Sequence, residues 1–190
     1  MLSLASLCFC RKKEMSCKEV CLLLGATGVG KTLLLKRLQK LGVYGLGELG
    51  TPLSTLPTVG TNLIDLTLKK KKVTVRELGG CMGPIWPSYF QDCSSVIFMV
   101  DSANMAQISC SCVQLLSILS AEPLRNASVL ILFNKRDIPC IMSLVEMKSL
   151  FRLEDIVASA TQPVTTLELS ALSGQGLREV LGWLESATVK

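Results

Sequence analysis

The stretch Val20-Cys21-Leu22-Leu23-Leu24-Gly25-Ala26-Thr27-Gly28-Val29-Gly30-Lys31-Thr32 sets the frame for the whole chain. Its first five residues are apolar and stop at a glycine, the pattern of a short strand buried on both faces. After it, Leu34, Leu35, Leu38 and Leu41 recur at helical spacing, so Lys31 to Leu41 reads as a helix. The residues between strand and helix fit G-x-x-x-x-G-K-[ST], in the strand–loop–helix context that gives this motif its chemistry. Glycines at 25, 28 and 30 let the backbone of Gly25, Ala26, Thr27, Gly28, Val29 and Gly30 wrap closely around phosphates with N–H groups pointing inward. The helix start adds the positive end of its dipole. Lys31 is then expected to reach the β- and γ-phosphates of a nucleotide, and the Thr32 hydroxyl to ligate Mg²⁺. A glycine-rich turn without ligand is the plainer alternative, but such a match arises by chance in only about one chain of this length in a hundred.

On either side of this segment the chain alternates short apolar runs with helical patterns. Leu63 to Leu68 and Val73 to Leu78 flank the run Lys69 to Lys72 and read as a hairpin exposing its turn. Ser95 to Asp101, Val129 to Phe133 and Thr165 to Leu169 read as strands. Gln107 to Ser120, Ser143 to Phe151 and Gly176 to Ala187 read as helices, and Gly42 to Pro57, rich in glycine and proline, as a loop. The expectation is an α/β fold: a six-stranded, mostly parallel sheet with one antiparallel edge strand and helices on both faces. Residues 1–18 read as a flexible N-terminal extension and 19–190 as one globular domain, in keeping with a length of 190 residues.

Composition narrows the chemistry. Hydrophobic residues make up 49% and charged residues 18%, enough apolar matter for a core and too much for disorder. There are no histidines, so Ser-His-Asp and Cys-His nucleophilic pairs, histidine zinc sites and histidine general bases are excluded. The nine cysteines are odd in number, irregular in spacing and mostly inside apolar runs, which argues for a reducing compartment and core filling rather than a disulfide scaffold. Cys110 and Cys112 are too close for a zinc knuckle without a second pair and read as helix residues; Trp86 and Trp183 read as packing residues. The net charge of +5 would suit an anionic partner, but neither Arg11-Lys12-Lys13 nor the lysine run is long enough, or interleaved with aromatics, for nucleic acid to be expected. No run of 18 apolar residues is present to span a membrane.

Asn134-Lys135-Arg136-Asp137 follows the Val129 to Phe133 strand, at the end where ligands lie in open α/β sheets. A carboxylate there can accept hydrogen bonds from both the N1–H and the exocyclic amine of guanine, whereas adenine has no matching donor pair. Asp137 is therefore the candidate base-specificity residue, with Asn134 and Lys135 beside it. Ser170-Ala171, at the end of the last strand, would complete the base pocket. GTP or GDP is the expected ligand; a P-loop ATPase or small-molecule kinase is the competing class.

With these motifs in place the chain resembles a small GTPase, and the intervening segments resemble the ADP-ribosylation factor (Arf) and Arf-like group from about Val20 to Ala187. Pro57-Thr58-Val59-Gly60-Thr61-Asn62 is similar to that group's first switch, whose pattern is P-T-[IV]-G. Glu77-Leu78-Gly79-Gly80, followed by Trp86 and Tyr89-Phe90, is similar to its second switch, D-x-G-G-Q with a tryptophan and Y-F downstream. The resemblance implies that Thr58 closes on Mg²⁺ and the γ-phosphate, and that the Gly80 N–H contacts the γ-phosphate. It also implies partner proteins that bind the two switches in the triphosphate state.

Four departures from the pattern carry consequences. Cys81 stands where the group has the glutamine that orients the attacking water, so slow intrinsic hydrolysis is expected, together with a protein resting in the triphosphate form or acting as a non-cycling scaffold. Glu77 replaces the metal-facing aspartate and would reach Mg²⁺ through water. Thr61 and Arg76 occupy usual aromatic positions of the effector platform, while Tyr89 remains, and the 42–57 loop is longer than usual. Leu2 follows Met1, so N-myristoylation is not expected. Cys8 and Cys10 beside Arg11-Lys12-Lys13 would suit a lipidated, electrostatically assisted membrane anchor, with an unanchored flexible extension as the alternative. The expected location is cytoplasmic, or peripheral on endomembranes.

Overall fold

A computed structural model describes residues 20–44, 55–69, 72–91, 93–139 and 142–187. The elements, in chain order, are β1 (Val20–Gly25), α1 (Lys31–Tyr44), β2 (Thr61–Thr67), β3 (Lys72–Leu78), a 3₁₀ segment (Gly80–Tyr89), β4 (Cys93–Asp101) and α2 (Met105–Leu119). A short 3₁₀ turn (Glu122–Leu124), β5 (Ser128–Asn134), α3 (Leu144–Phe151), α4 (Leu153–Ser159), β6 (Val164–Glu168) and α5 (Leu177–Ala187) follow. One six-stranded sheet runs in the order β2-β3-β1-β4-β5-β6. β1 pairs in parallel with both β3 and β4, as β5 does with β4 and β6, and only the β2–β3 pair is antiparallel. This is the expected architecture, with the hairpin forming one edge.

Alternation along the central strands explains why both faces are covered. Cys21 and Leu23 of β1 join a core with α1 residues Leu34, Leu35 and Leu38 and α5 residues Leu177, Val180 and Leu184. Leu22 and Leu24 enter a second core with Leu115 of α2, Phe151 of α3 and Ile156 of α4. Each leucine taken fully from water contributes roughly 1.5–3 kcal/mol of transfer free energy, so the central strands serve as an anchor on both sides. The parallel strands therefore align their carboxyl ends, bringing Gly25 at the end of β1, Asp101 at the end of β4 and Asn134 at the end of β5 to one rim.

Three local features differ from the sequence reading. Helix α1 runs past Leu41 to Tyr44, so Gly42 is helical rather than part of the loop; residues 45–54 of that loop lie outside the described residues. The helix read over Ser143 to Phe151 is present as α3 and stops where Arg152 adopts a left-handed backbone (φ 48°); α4, which the sequence reading lacks, begins immediately after it. Periodicity does not mark α4 as a separate element, since apolar positions continue across the break. The Gly80–Tyr89 segment is 3₁₀ over ten residues, and contains Pro84 and Pro87, which lack the N–H a continuous α-helix needs. Its Trp86, 3% exposed, donates Nε1–H to the Gly79 carbonyl at 3.1 Å and packs into the second core, as expected of a packing residue.

Of the five described cysteines, Cys21 is buried, Cys93 and Cys112 are partly buried, and Cys81 and Cys110 are exposed; core filling thus accounts for only some of them. Lys69 and Lys72 are exposed at the hairpin's end, while Lys70 and Lys71 lie outside the described residues, as does the segment with Cys8, Cys10 and Arg11-Lys12-Lys13. Among the described residues, no helix is long and apolar enough to cross a membrane.

Candidate functional site

The turn from β1 into α1 is held by contacts that only certain residues permit. Gly30 has φ +99°, and a Cβ there would stand 2.6 Å from the Asn134 amide nitrogen. Gly80 packs its backbone so tightly on the turn that a Cβ would collide with the Thr27 backbone nitrogen. The Lys31 ammonium is buried and donates to the carbonyls of Gly25 (2.8 Å) and Ala26 (2.9 Å). Burial pushes its pKa down from 10.5 to about 8, partly offset by the negative charge available at Glu77 and Cys81. Thr27 and Gly28 are exposed at the mouth of a cleft whose walls include Lys31, Thr32, Thr58 and Glu77.

Three oxygen-bearing side chains from separate elements meet inside that cleft. Thr32, on the first turn of α1, and Thr58, just before β2, have their hydroxyl oxygens 3.0 Å apart. Both donate to Oε1 of Glu77, Thr58 at 3.1 Å, while Asn62 donates to Oε2 at 2.9 Å. Glu77 is 1% exposed, so its carboxylate is buried among donors rather than solvated. A cluster of hydroxyls and one carboxylate is a donor set suited to a hard divalent cation such as Mg²⁺, which takes oxygen ligands. The Gly79 N–H bonds the Gly60 carbonyl at 3.0 Å and so closes the β2–β3 ladder beside Thr58. Cys81 is exposed one residue beyond Gly80, its thiol 3.9 Å from the Thr58 carbonyl, a weak contact for a weak donor.

The second half of the site lies across the rim. Asn134, 2% exposed, donates its amide N–H to the Val29 carbonyl at 2.7 Å and accepts from the Ala171 N–H at 3.0 Å, bridging the glycine-rich turn to the loop after β6. Lys135 takes a left-handed backbone (φ 68°) and pairs with Asp101 at 2.6 Å. Asp137 is exposed but fixed, because the Ser170 hydroxyl donates to its Oδ1 at 2.5 Å and itself accepts from the Ser173 N–H at 3.0 Å. Arg136 is turned to the structure instead, donating to the Met142 carbonyl at 2.7 Å and pairing with Glu168 at 3.3 Å.

The residues singled out in sequence thus fall into two adjoining groups: Gly25 to Thr32 with Thr58, Glu77, Gly80 and Cys81, and Asn134, Lys135 and Asp137 with Ser170 and Ala171. Three neighbours have no site role in the sequence reading. Asp101 holds Lys135; its signal was a lone carboxylate ending an apolar strand. Asn62 holds Glu77, and Gln107 of α2 donates to the Thr27 carbonyl at 3.4 Å, and neither has a spacing signature.

Comparison with known proteins follows the same outline. The profile of the ADP-ribosylation factor family matches residues 2–188. The chain is 61% identical to human ADP-ribosylation factor-like protein 16 over 168 residues, covering 88% of this chain and 85% of that protein. It is 35% identical to ADP-ribosylation factor-like protein 1 of Drosophila melanogaster over 87% of this chain and 86% of that one, and 36% identical to the Saccharomyces cerevisiae protein of the same name over 86% and 84%. In structure it is similar to the Arl6 BBS3 small GTPase from Trypanosoma brucei, solved with the nucleotide analogue GppNp. That match has a TM-score of 0.74 at 21% identity, covering 88% of this chain and 95% of the other.

Proposed function

This chain belongs to the ADP-ribosylation factor family, an Arf-like small GTPase by its relatives, and from that membership we propose that it is a Mg²⁺-dependent guanine-nucleotide switch with slow intrinsic hydrolysis. The observation that carries the reading is Asn134, whose two hydrogen bonds join the phosphate turn to the base-side loop, so that both ends of one nucleotide meet a single rigid frame. Asp137 accepts from guanine N1–H and the exocyclic amine, and the Ser170 hydroxyl orients it for that task. Backbone N–H groups of the glycine-rich turn receive the β- and γ-phosphates together with Lys31. Lys31 is pre-aimed by two carbonyls, and an arriving anion favours the protonated form that burial disfavours. Thr32 and Thr58 would hold Mg²⁺ directly and Glu77 through water. When bound, the metal supplies neutralisation of the charge on the β- and γ-phosphates.

Thr58 and Gly80 each stand on a segment that a γ-phosphate would hold, so loss of that group releases both, which is the switching step. Cys81 has no amide with which to orient a water, and the protein is expected to stay in the triphosphate form until a partner supplies catalysis. The exposed thiol also supports a second reading, a GTP-bound scaffold that scarcely cycles. Hydrolysis stimulated by a cell extract supports the switch, and its absence supports the scaffold. The test of the shared core is nucleotide binding: Asp137→Asn is expected to weaken GTP at least about 100-fold, the scale of a lost charged hydrogen-bond pair. If ATP competes equally with GTP, and Asp137→Asn leaves that preference unchanged, the chain is an ATP-binding protein instead.

A further inference from the structure

Arg76 lies on β3 opposite Leu63 of β2. Its neighbours on the strand, Val75 and Glu77, point to the other face: Val75 packs into the α1–α5 core, and the Glu77 carboxylate is taken up by Thr32, Thr58 and Asn62. Arg76 therefore shares its face with Leu78 and with the paired Leu63, which is 57% exposed. Its guanidinium carbon sits 5.4 Å from the centroid of the Tyr89 ring, which holds the half-buried cation in one orientation. Its Nε–H is buried with no hydrogen-bond partner, and Arg76 forms no ion pair with a described residue. Asp65, the carboxylate on Arg76's face among the described residues of the hairpin, is engaged by the Thr74 hydroxyl at 2.6 Å. The result is a half-buried guanidinium held against Tyr89 and beside the exposed Leu63, with no ion pair among the described residues.

We propose that this β2–β3 face docks a partner protein through an Asp or Glu carboxylate received by Arg76, with an apolar side chain beside it on Leu63 and Tyr89. A guanidinium fork matches a carboxylate in geometry as well as charge, and partial desolvation strengthens the pair. Charge complementarity thus selects an acidic partner where an aromatic platform would select an apolar one. The proposal deepens the switch reading, since the strip adjoins Thr58 and Cys81; dependence on the nucleotide rests on that reading, and the need for a carboxylate does not.

The test is selection from a phage-displayed random peptide library on the full chain, loaded in parallel with GppNHp and with GDP. Enriched peptides are expected to carry Asp or Glu next to Leu, Ile or Phe. A synthetic copy should bind Arg76→Met about 10- to 100-fold more weakly and Arg76→Lys less severely so, and Arg76→Glu should recover binding to the same peptide with Lys in place of its acid. Thermal unfolding of each variant controls for folding, and the charge exchange cannot be produced by a merely structural loss. Enriched peptides without a carboxylate, no enrichment, or equal affinity for Arg76→Met would overturn the proposal. So would binding to phosphatidylcholine–phosphatidylserine vesicles that depends on Arg76 when no peptide is selected. Arg76-dependent peptides that bind both nucleotide forms equally support the docking site and count against the switch.

Discussion

Cys81 and Lys31 show how a single side chain sets the chemistry available to this site. The thiol at 81 is exposed, 3.9 Å from the Thr58 carbonyl, and lacks the paired donor and acceptor of an amide. Cys81→Gln is accordingly expected to raise single-turnover GTP hydrolysis; an unchanged rate would remove Cys81 from the account of slow turnover. Ionisation gives a second expectation at this scale. Burial pushes the Cys21 thiol up from 9.0 to about 12 and Cys93 to about 11, so in the folded chain both keep protons that the unfolded chain loses. Their contribution is intact below pH about 9 and lost as pH climbs toward those values, at about tenfold in the folding equilibrium per pH unit per thiol. Lys31 has the opposite sign: its folded pKa of about 8 lies below the unfolded one, so the nucleotide-free fold gains from pH about 8 to 10.5. Urea titrations of nucleotide-free protein should show a gain between pH 8 and 9 and a net loss from about 9 to 10.5. In Cys21→Val one thiol and one lysine offset each other there, and the curve should flatten over that interval.

Among the elements, α3 is specified most locally. Ser143 accepts from the Glu146 N–H at 3.2 Å, and the Glu146 carboxylate accepts from the Ser143 N–H at 2.7 Å, a reciprocal capping box; that N–H, and then the Ser143 hydroxyl donating at 2.8 Å, hold the exposed Glu146 pKa below its usual value. Ser143→Ala should cost about 1 kcal/mol of stability in denaturant titrations while leaving GTP affinity unaltered, because α3 touches no part of the cleft. That helix began in the sequence where the serine and the following apolar spacing placed it. Its end at Phe151 was read as well, but the separate helix α4 was not, since Leu153 and Ile156 continue the apolar pattern and only the left-handed backbone of Arg152 separates α3 from α4. The 3₁₀ segment was likewise invisible as an element, because its two prolines argue against an α-helix without saying what replaces it. By contrast the glycine-rich turn was legible to the residue, since glycine, lysine and threonine are demanded at set positions by backbone conformation and phosphate chemistry.

For the molecule as a whole, the central tie is Asn134, which joins loops from β1, β5 and β6 at one rim of the sheet. Asn134→Ala leaves the Val29 carbonyl and the Ala171 N–H without partners, and is expected to lower stability by about 1–3 kcal/mol and to weaken both GTP and GDP together, as calorimetry of each would show. A selective loss of one nucleotide would place Asn134 at the phosphate end rather than in the frame. Short apolar strands, amphipathic helices and two ligand motifs determined the sheet, its covering helices and the family from sequence alone. They do so because strand burial and phosphate binding impose periods and residue types that read off a linear chain. Tertiary structure alone decided which carboxylates are occupied and which cations lack one: that Asp101 holds Lys135, that Asn62 and two threonines consume Glu77, and that Arg76 rests on Tyr89 with no ion pair among the described residues. Those pairings join residues 13 to 45 positions apart, and charge interactions depend on distance and desolvation in space, which no sequence period encodes.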